Sequence, residues 1–218
     1  LSTLQAALLH DVLEGTGVEL ETLEKTFGVE VAGLVEGMNK LSLVKIRKED
    51  AEAENWKKMF LAMAKDVRIV FIKLAERLHN MRTLEFVPEE KRERIARESL
   101  LVHAAIASRL GLFSFKSEME DLCFKHLYPQ AYVELLEQIS DYKAKSENGM
   151  AFALSNVEQL LVREGIAVER VQGRFKHLWS LYQKMEKKEK FSLDSVYDLF
   201  AVRIILPDRS EHGEEDVA

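Results

Sequence analysis

The sequence predicts a mainly α-helical fold: an all-helical domain, then a connector helix, then the start of an α/β domain. Through the first 165 residues, apolar side chains recur at the three- and four-residue spacing of amphipathic helices. Prolines, which interrupt helices, occur at only three positions, Pro88, Pro129 and Pro207. After Gly165 the spacing changes to the alternation of a strand, then to a helical pattern, and then to a β-branched run.

Glycine and proline residues divide the helical part into its elements. Ser2 or Thr3 is expected to cap a first helix that ends near Gly15. A polar loop, basic and then acidic, is predicted at 42–52. The other helices are predicted at 20–27, 29–39, 53–65, 67–83, 88–110, 114–127 and from Pro129 to about 164.

The segments after Gly165 are shorter, and some have the β-branched, apolar character of strands. The predicted order is strand, helix, short helix and buried strand, at 166–173, 174–190, 192–200 and 199–207. We therefore predict a helical domain over 1–128, a helical connector over 129–164 and the start of an α/β domain over 165–218.

Composition narrows the class of protein. Apolar residues make up 47% and charged residues 31%, as in a globular protein in water. The net charge of −6 argues against direct DNA binding or attraction to an anionic membrane, and no apolar run is long enough to span a bilayer. The single cysteine, Cys123, fits a reducing, cytoplasmic setting. Because the chain starts at Leu1 inside an apolar segment, it is expected to be a fragment of a longer protein.

A His-Asp pair near the start of the chain is the first candidate site. If the segment is helical, His10 and Glu14 lie on one face and Asp11 is about 100° away. Adjacent His and Asp side chains can ligate a divalent ion, and Glu14 could hold or protonate a water on it. The alternative is a helix end at which His10 and Asp11 bond neighbouring groups.

The helix predicted at 67–83 is the second candidate. Its apolar positions indicate a buried helix, yet it carries five polar or charged groups that are hard to place in a core. Either these groups form ion pairs on a solvated face, or Glu76 completes the metal site begun by His10 and Asp11. The five groups are Lys73, Glu76, Arg77, Asn80 and Arg82.

Several stretches resemble the RelA/SpoT-type (Rel) enzymes of the stringent response, which make and degrade guanosine tetra- and pentaphosphate. LHDVLEGT and NWKKMFLAMAKDVRIVFIKLAERLHNMRTL resemble their hydrolase domain, and the likeness continues through RLGLFSFKSEMEDLCFKHLYP. GRFKHLWSLYQKM and VYDLFAVRII resemble the start of their synthetase domain. The resemblance implies a helical HD-type, Mn²⁺-dependent 3′-pyrophosphohydrolase domain joined to an incomplete nucleotidyltransferase-like GTP/GDP pyrophosphokinase domain.

The resemblance also implies residue roles in the hydrolase domain. Glu14 would act as an acid–base or water-orienting group. Asn80 would belong to the catalytic site and contact the nucleotide together with Thr83. The metal ligands would be His10, Asp11 and Glu76. The phosphate partners would be Lys45 and Arg47.

Three departures from the family pattern concern this domain. The family's first ligand His lies upstream of Leu1. Gly15 occupies a position that is usually Asp in active hydrolases, and Glu76 stands where Asp is usual. An alternative is therefore a regulatory HD domain that does not hydrolyse its nucleotide. A different metal phosphohydrolase and a purely structural helical protein are two further alternatives, but each accounts for fewer of the residues named above.

In the synthetase part, the resemblance implies that ATP donates pyrophosphate to GDP or GTP. Asp198 would bind the catalytic Mg²⁺, with Arg203 near the phosphates. The family's remaining synthetase strands lie beyond Ala218, so this chain alone is not expected to synthesise guanosine tetra- or pentaphosphate. Any association with the ribosome would also use regions absent from this chain. The triphosphate would be held by Arg174, Lys176, His177, Ser180 and Lys184, although Phe175 and Gln183 depart from the family pattern.

Overall fold

The structure, a computed structural model, describes residues 1–42, 65–187 and 199–207 together with Leu193 and Val196. These residues are mostly helical, with one two-stranded sheet near the C-terminal end, so the predicted fold class is confirmed. The chain divides into two compact units, Leu1–Leu127 and Tyr128–Ala218. No helix among the described residues is long and apolar enough to cross a membrane.

The first unit is helical. Its α-helices are α1 (Ser2–Leu8), α2 (Val12–Gly15), α3 (Leu20–Phe27), α4 (Val29–Ser42), α5 (Val67–Arg82), α6 (Glu89–Glu98), α7 (Ala104–Arg109) and α8 (Phe113–Leu127). A 3₁₀ turn covers Leu84–Phe86, and a π-helical turn, Ser99–His103, joins α6 to α7. The predicted loop at 42–52 and helix at 53–65 fall almost entirely outside the described residues.

Among the described residues of this unit, two apolar clusters contain buried residues of α5, because these recur at helical spacing. The cluster at its N-terminal half includes Val35, Val70 and Ile106. The cluster at its C-terminal half includes Met81 and Met119. Helix α5 is therefore fixed along its length, and its polar side chains project from a rigid element.

The second unit contains α9 (Pro129–Arg163), β1 (Arg170–Phe175), α10 (Leu178–Lys187) and β2 (Phe200–Ile205). The two strands are antiparallel. Helix α10 is held by an aromatic group in which the Trp179 ring lies 5.9 Å from Tyr128 and 5.6 Å from Tyr182. Pro129 at the first position of α9 agrees with the fixed φ that favours proline there.

The predicted first helix is wrong in two respects. It begins at Ser2 with Leu1 as its N-cap, so neither Ser2 nor Thr3 caps it, and the Ser2 hydroxyl donates to Glu30. The helix also ends at Leu8, and His10 and Asp11 lie in the turn before α2. The His10 ring bonds the Ala7 carbonyl oxygen, and this side-chain bond competes with the backbone bonds that would continue a helix.

Three other predicted elements also differ from the structure. The helix expected at 88–110 contains the π-helical turn between α6 and α7. The strand expected at 166–173 starts and ends later, at Arg170 and Phe175, because it pairs with β2 in a register that local alternation does not reveal. Arg174 and Phe175 are consequently strand residues, and the helix predicted at 174–190 begins only at Leu178.

Gly37 marks the close approach of α4 to α5. A Cβ atom at this position would overlap the Ile69 side chain, whereas a Cβ at Gly33 on the same helix meets nothing within 4 Å. We expect Gly33→Ala to stabilise the protein by about 0.5–1 kcal/mol through helix propensity. In Gly37→Ala the same gain in helix propensity should be offset by overpacking against Ile69, which costs about 1–3 kcal/mol of stability.

Urea unfolding of both variants measures the difference in free energy. Ile69→Val should be less destabilising in the Gly37→Ala background than in the wild type, since it removes the methyl group that overlaps. Equal effects of Ile69→Val in both backgrounds would show that the two helices do not meet as described.

His103 on the π-helical turn is buried, with 5% of its surface exposed. Burial, with added repulsion from Arg77 and Lys73, lowers the pKa of His103 to about 3. The folded protein therefore keeps this ring neutral, whereas the unfolded chain protonates it below its ordinary pKa of 6.5. The unfolded state then binds more protons, so stability decreases as the pH falls from 6.5 towards 3.

The expected loss from this one group is about 1.4 kcal/mol per pH unit, or roughly 2 kcal/mol at pH 5. His103→Leu should remove that part of the pH dependence, as measured by urea unfolding at pH 7.5 and pH 5. His79→Leu, which changes an exposed histidine of α5, is the matched control. An unchanged pH dependence in His103→Leu would contradict the assignment.

Candidate functional site

The turn between α1 and α2 brings two side chains of the predicted metal site together. The His10 Nδ1–H donates to the Ala7 carbonyl oxygen at 2.9 Å. The other ring nitrogen, Nε2, lies 3.0 Å from Asp11 Oδ2. Asp11 is 73% exposed and His10 is 28% exposed, so the pair lies at the surface.

The Ala7 contact decides the tautomer of His10. A carbonyl oxygen only accepts hydrogen bonds, so Nδ1 must carry a proton, and a neutral ring then presents the lone pair of Nε2 to Asp11. Two acceptor atoms at this separation repel each other unless a positive charge lies beside them. That charge is either a second proton on His10 or a cation bound by both atoms.

The separation of the two atoms fits a metal ion. Ligand atoms bound at about 2.1 Å and at right angles around one ion lie about 3.0 Å apart, which matches the distance between Nε2 and Oδ2. The Ala7 carbonyl supplies the outer hydrogen bond that metal-binding histidines usually make. Among the described residues, however, no group of three or more His, Cys, Asp or Glu side chains is arranged to hold a metal.

Glu14 and Gly15 follow on α2. Glu14 is exposed and lies within one helical turn of Asp11. The Gly15 amide donates to the Asp11 carbonyl oxygen at 2.9 Å, and its φ is not in the left-handed region. A Cβ at Gly15 would meet nothing within 4 Å, so the site has room for a side chain here.

Glu76, the predicted third ligand, is engaged by its own helix. Its Oε2 accepts from Lys73 Nζ at 2.7 Å, and its Oε1 accepts from Asn80 Nδ2 at 3.4 Å. Lys73 and Glu76 are each only 15% exposed. The i,i+3 spacing of this pair was a signal in the sequence that the metal prediction overlooked. Glu76 as a metal ligand stays a prediction.

Ion pairs also account for the other charged residues of α5. Arg77 bonds Glu98 at 3.1 Å. Arg82 makes two bonds to Glu118, at 2.6 and 2.9 Å, and these raise the pKa of Arg82 and lower that of Glu118. The partners come from α6 and α8, so helical periodicity could not reveal them. The end of α5 that carries Arg77 and Arg82 therefore agrees with the alternative interpretation of this helix, in which its charged groups form ion pairs.

The structure describes only some of the residues that are predicted to contact the nucleotide. Asn80 lies in the last turn of α5 and Thr83 is the C-cap. Both are exposed, and the Thr83 hydroxyl donates to the His79 carbonyl at 3.1 Å. Lys45 and Arg47 lie outside the described residues, as does Asp198 of the synthetase part.

The second unit brings most of the predicted phosphate partners to one strand–helix junction. Arg174 is in β1, and the Lys176 amide donates to the Leu199 carbonyl at 2.9 Å just after the strand. His177 Nε2 lies 3.0 Å from the Ser180 hydroxyl as α10 begins. Lys184 follows on α10, and Arg203 is in β2. The N-terminal turn of α10 has backbone N–H groups suited to an anion.

Comparisons with known proteins match two families to different parts of the chain. The family described as an HD domain matches residues 1–113. A second family, described as a region found in RelA / SpoT proteins, matches residues 173–216. The chain belongs to the RelA/SpoT family. The HD match contains His10, Asp11 and Glu76, and the second match contains the strand–helix junction.

Three relatives illustrate the similarity. The bifunctional (p)ppGpp synthase/hydrolase SpoT of Escherichia coli is 45% identical, over 94% of this chain and 29% of its own length. A probable guanosine-3′,5′-bis(diphosphate) 3′-pyrophosphohydrolase of Synechocystis is 42% identical, over 94% and 27%. A GTP pyrophosphokinase of Myxococcus xanthus is 40% identical, over 94% and 28%. The chain thus spans under a third of the length of these RelA/SpoT relatives.

Proposed function

We propose that this chain is the hydrolase domain and the start of the synthetase domain of an enzyme of guanosine tetra- and pentaphosphate metabolism. The supporting observation is the His10–Asp11 pair, whose facing atoms lie 3.0 Å apart, a separation suited to two ligands of one cation. In this proposal residues 129–164 form the connector. Guanosine nucleotides and ATP are the ligands of the full-length protein.

The hydrolase domain would hold Mn²⁺ through His10, Asp11 and Glu76. When bound, a divalent ion lowers the pKa of its water and neutralises phosphate charge. The Ala7 carbonyl keeps the His10 lone pair on Nε2, and Glu14 orients the water or moves its proton. Glu76 would bind the ion through the lone pairs that its bonds from Lys73 and Asn80 leave available.

On the substrate side, Asn80 and Thr83 would contact the nucleotide at the end of α5. Lys45 and Arg47 are proposed as phosphate partners on the strength of the family resemblance alone. One N–H of the Asn80 amide bonds Glu76, so its second N–H and its oxygen would serve the substrate.

The synthetase part would bind the triphosphate of ATP. Arg174, Lys176 and Lys184 supply positive charge, and His177 and Ser180 supply hydrogen bonds at the start of α10. Asp198 would hold Mg²⁺ and Arg203 would lie beside the phosphates.

A second candidate is a regulatory HD domain that no longer hydrolyses. Two observations favour it: position 15 lacks a carboxylate, and Lys73 already neutralises Glu76. Such a domain would bind nucleotide or restrain the synthetase without turnover.

Metal stoichiometry separates the two candidates. Electron paramagnetic resonance of Mn²⁺, titrated into the full-length protein without nucleotide, should show one bound ion per chain. Asp11→Asn should release it, while Asp141→Asn, an exposed aspartate on α9, should not. No bound Mn²⁺ in the wild type would favour the regulatory domain.

A further inference from the structure

The two-stranded sheet has one apolar and one basic face. Successive residues of a strand point to opposite sides, so Val171 and Phe175 share one face of β1. Val171 lies opposite Ile204 and Phe175 opposite Phe200 of β2, and the Phe175 and Phe200 rings lie 6.3 Å apart. The residues on the opposite face of β1 are Arg170, Gln172 and Arg174.

The strand register adds a third arginine to the basic face. Arg203 of β2 lies opposite Gln172, so Arg170 and Arg174 are its two diagonal neighbours. Such diagonal neighbours are about 7–8 Å apart, within reach of long side chains. All three arginines are exposed, and neither strand contains an acidic residue.

Several arginines elsewhere in the described chain are neutralised by carboxylates. Arg82 and Arg163 each bond a glutamate. Among the residues that the structure describes, neither Arg170 nor Arg203 has an ion-pair partner. Like charges held this close repel each other, and an anion with several negative charges relieves that repulsion.

We propose that Arg170 is a third guanidinium of the triphosphate-binding face, acting with Arg174 and Arg203. The inference rests on the proposed synthetase function, which assigns roles to Arg174 and Arg203 but none to Arg170. Guanidinium groups bind phosphates through paired hydrogen bonds. Three of them along one face favour a chain of phosphates, as in a nucleoside triphosphate, over a single phosphate.

Calorimetry with inorganic tripolyphosphate tests this inference on the full-length protein, in EDTA so that metal sites do not contribute. In Arg170→Gln, loss of one charge-assisted contact should raise the dissociation constant for tripolyphosphate about tenfold. Affinity for orthophosphate should change less than twofold. Arg163→Gln, which alters an exposed arginine bonded to Glu164, is the matched control and should bind like the wild type.

Arg174→Gln distinguishes failure of this inference from failure of the proposed function. If Arg174→Gln weakens tripolyphosphate binding and Arg170→Gln does not, Arg170 is not part of the site and the inference is overturned alone. If neither variant differs from the wild type, the synthetase site is overturned as well. Thermal unfolding should be unchanged in every variant, because the replaced side chains are exposed.

Discussion

Replacing Asp11 by Asn should reduce metal-dependent release of pyrophosphate from guanosine tetraphosphate by roughly 10²–10⁴-fold. Asn keeps the shape of the side chain but removes the charge that faces His10 Nε2 at 3.0 Å. A catalytic metal stabilises charge by several kcal/mol, and each 1.4 kcal/mol is about tenfold in rate. Initial rates of the full-length protein at saturating Mn²⁺ measure the effect.

The folded structure should not change in this variant. Asp11 is exposed, and its side chain makes no capping bond to α2, so Asn introduces no new defect. Asp141→Asn serves as the control and should retain the wild-type rate. A rate for Asp11→Asn within threefold of the wild type would exclude Asp11 from the metal site.

Introducing Asp at position 15 should raise the hydrolysis rate of the full-length protein. A positioned proton-transfer group contributes about 10²–10⁴-fold, and Gly15 lies one helical turn beyond Asp11, whose carbonyl oxygen accepts from its amide. The backbone permits the change, since φ is not left-handed and the space around the position is open. The measurement is kcat for pyrophosphate release by Gly15→Asp.

Gly33→Asp is the matched control, because Gly33 is also exposed and open but lies on α4. It should leave kcat unchanged. If Gly15→Asp gives no gain, another feature limits the rate, and the Lys73–Glu76 pair is the first to examine.

Local periodicity was enough to predict the long helices. Helix α5 was predicted at 67–83 and runs from Val67 to Arg82; α9 was predicted from Pro129 to about 164 and ends at Arg163. In both helices, the apolar spacing and the residues at the helix ends predict nearly the bounds that the structure has. Local preference and tertiary packing therefore favour the same structure.

The candidate site was harder to predict because side chains and distant strands determine its geometry. The His10 bond to Ala7 ends α1 early and places the His-Asp pair in a turn. Glu98 and Glu118, which bond α5, come from other helices. The basic face of the sheet depends on the pairing of Gln172 with Arg203, which is fixed only when β1 meets β2.

The most direct test is release of pyrophosphate from guanosine tetraphosphate by the full-length protein, with and without Mn²⁺. Our account predicts turnover that requires the metal, because it assigns His10 and Asp11, whose facing atoms lie 3.0 Å apart, as ligands of one cation. Absence of turnover at every Mn²⁺ concentration, with synthesis from ATP and GDP intact, would contradict it. The helical domain would then be regulatory and the protein chiefly a synthetase.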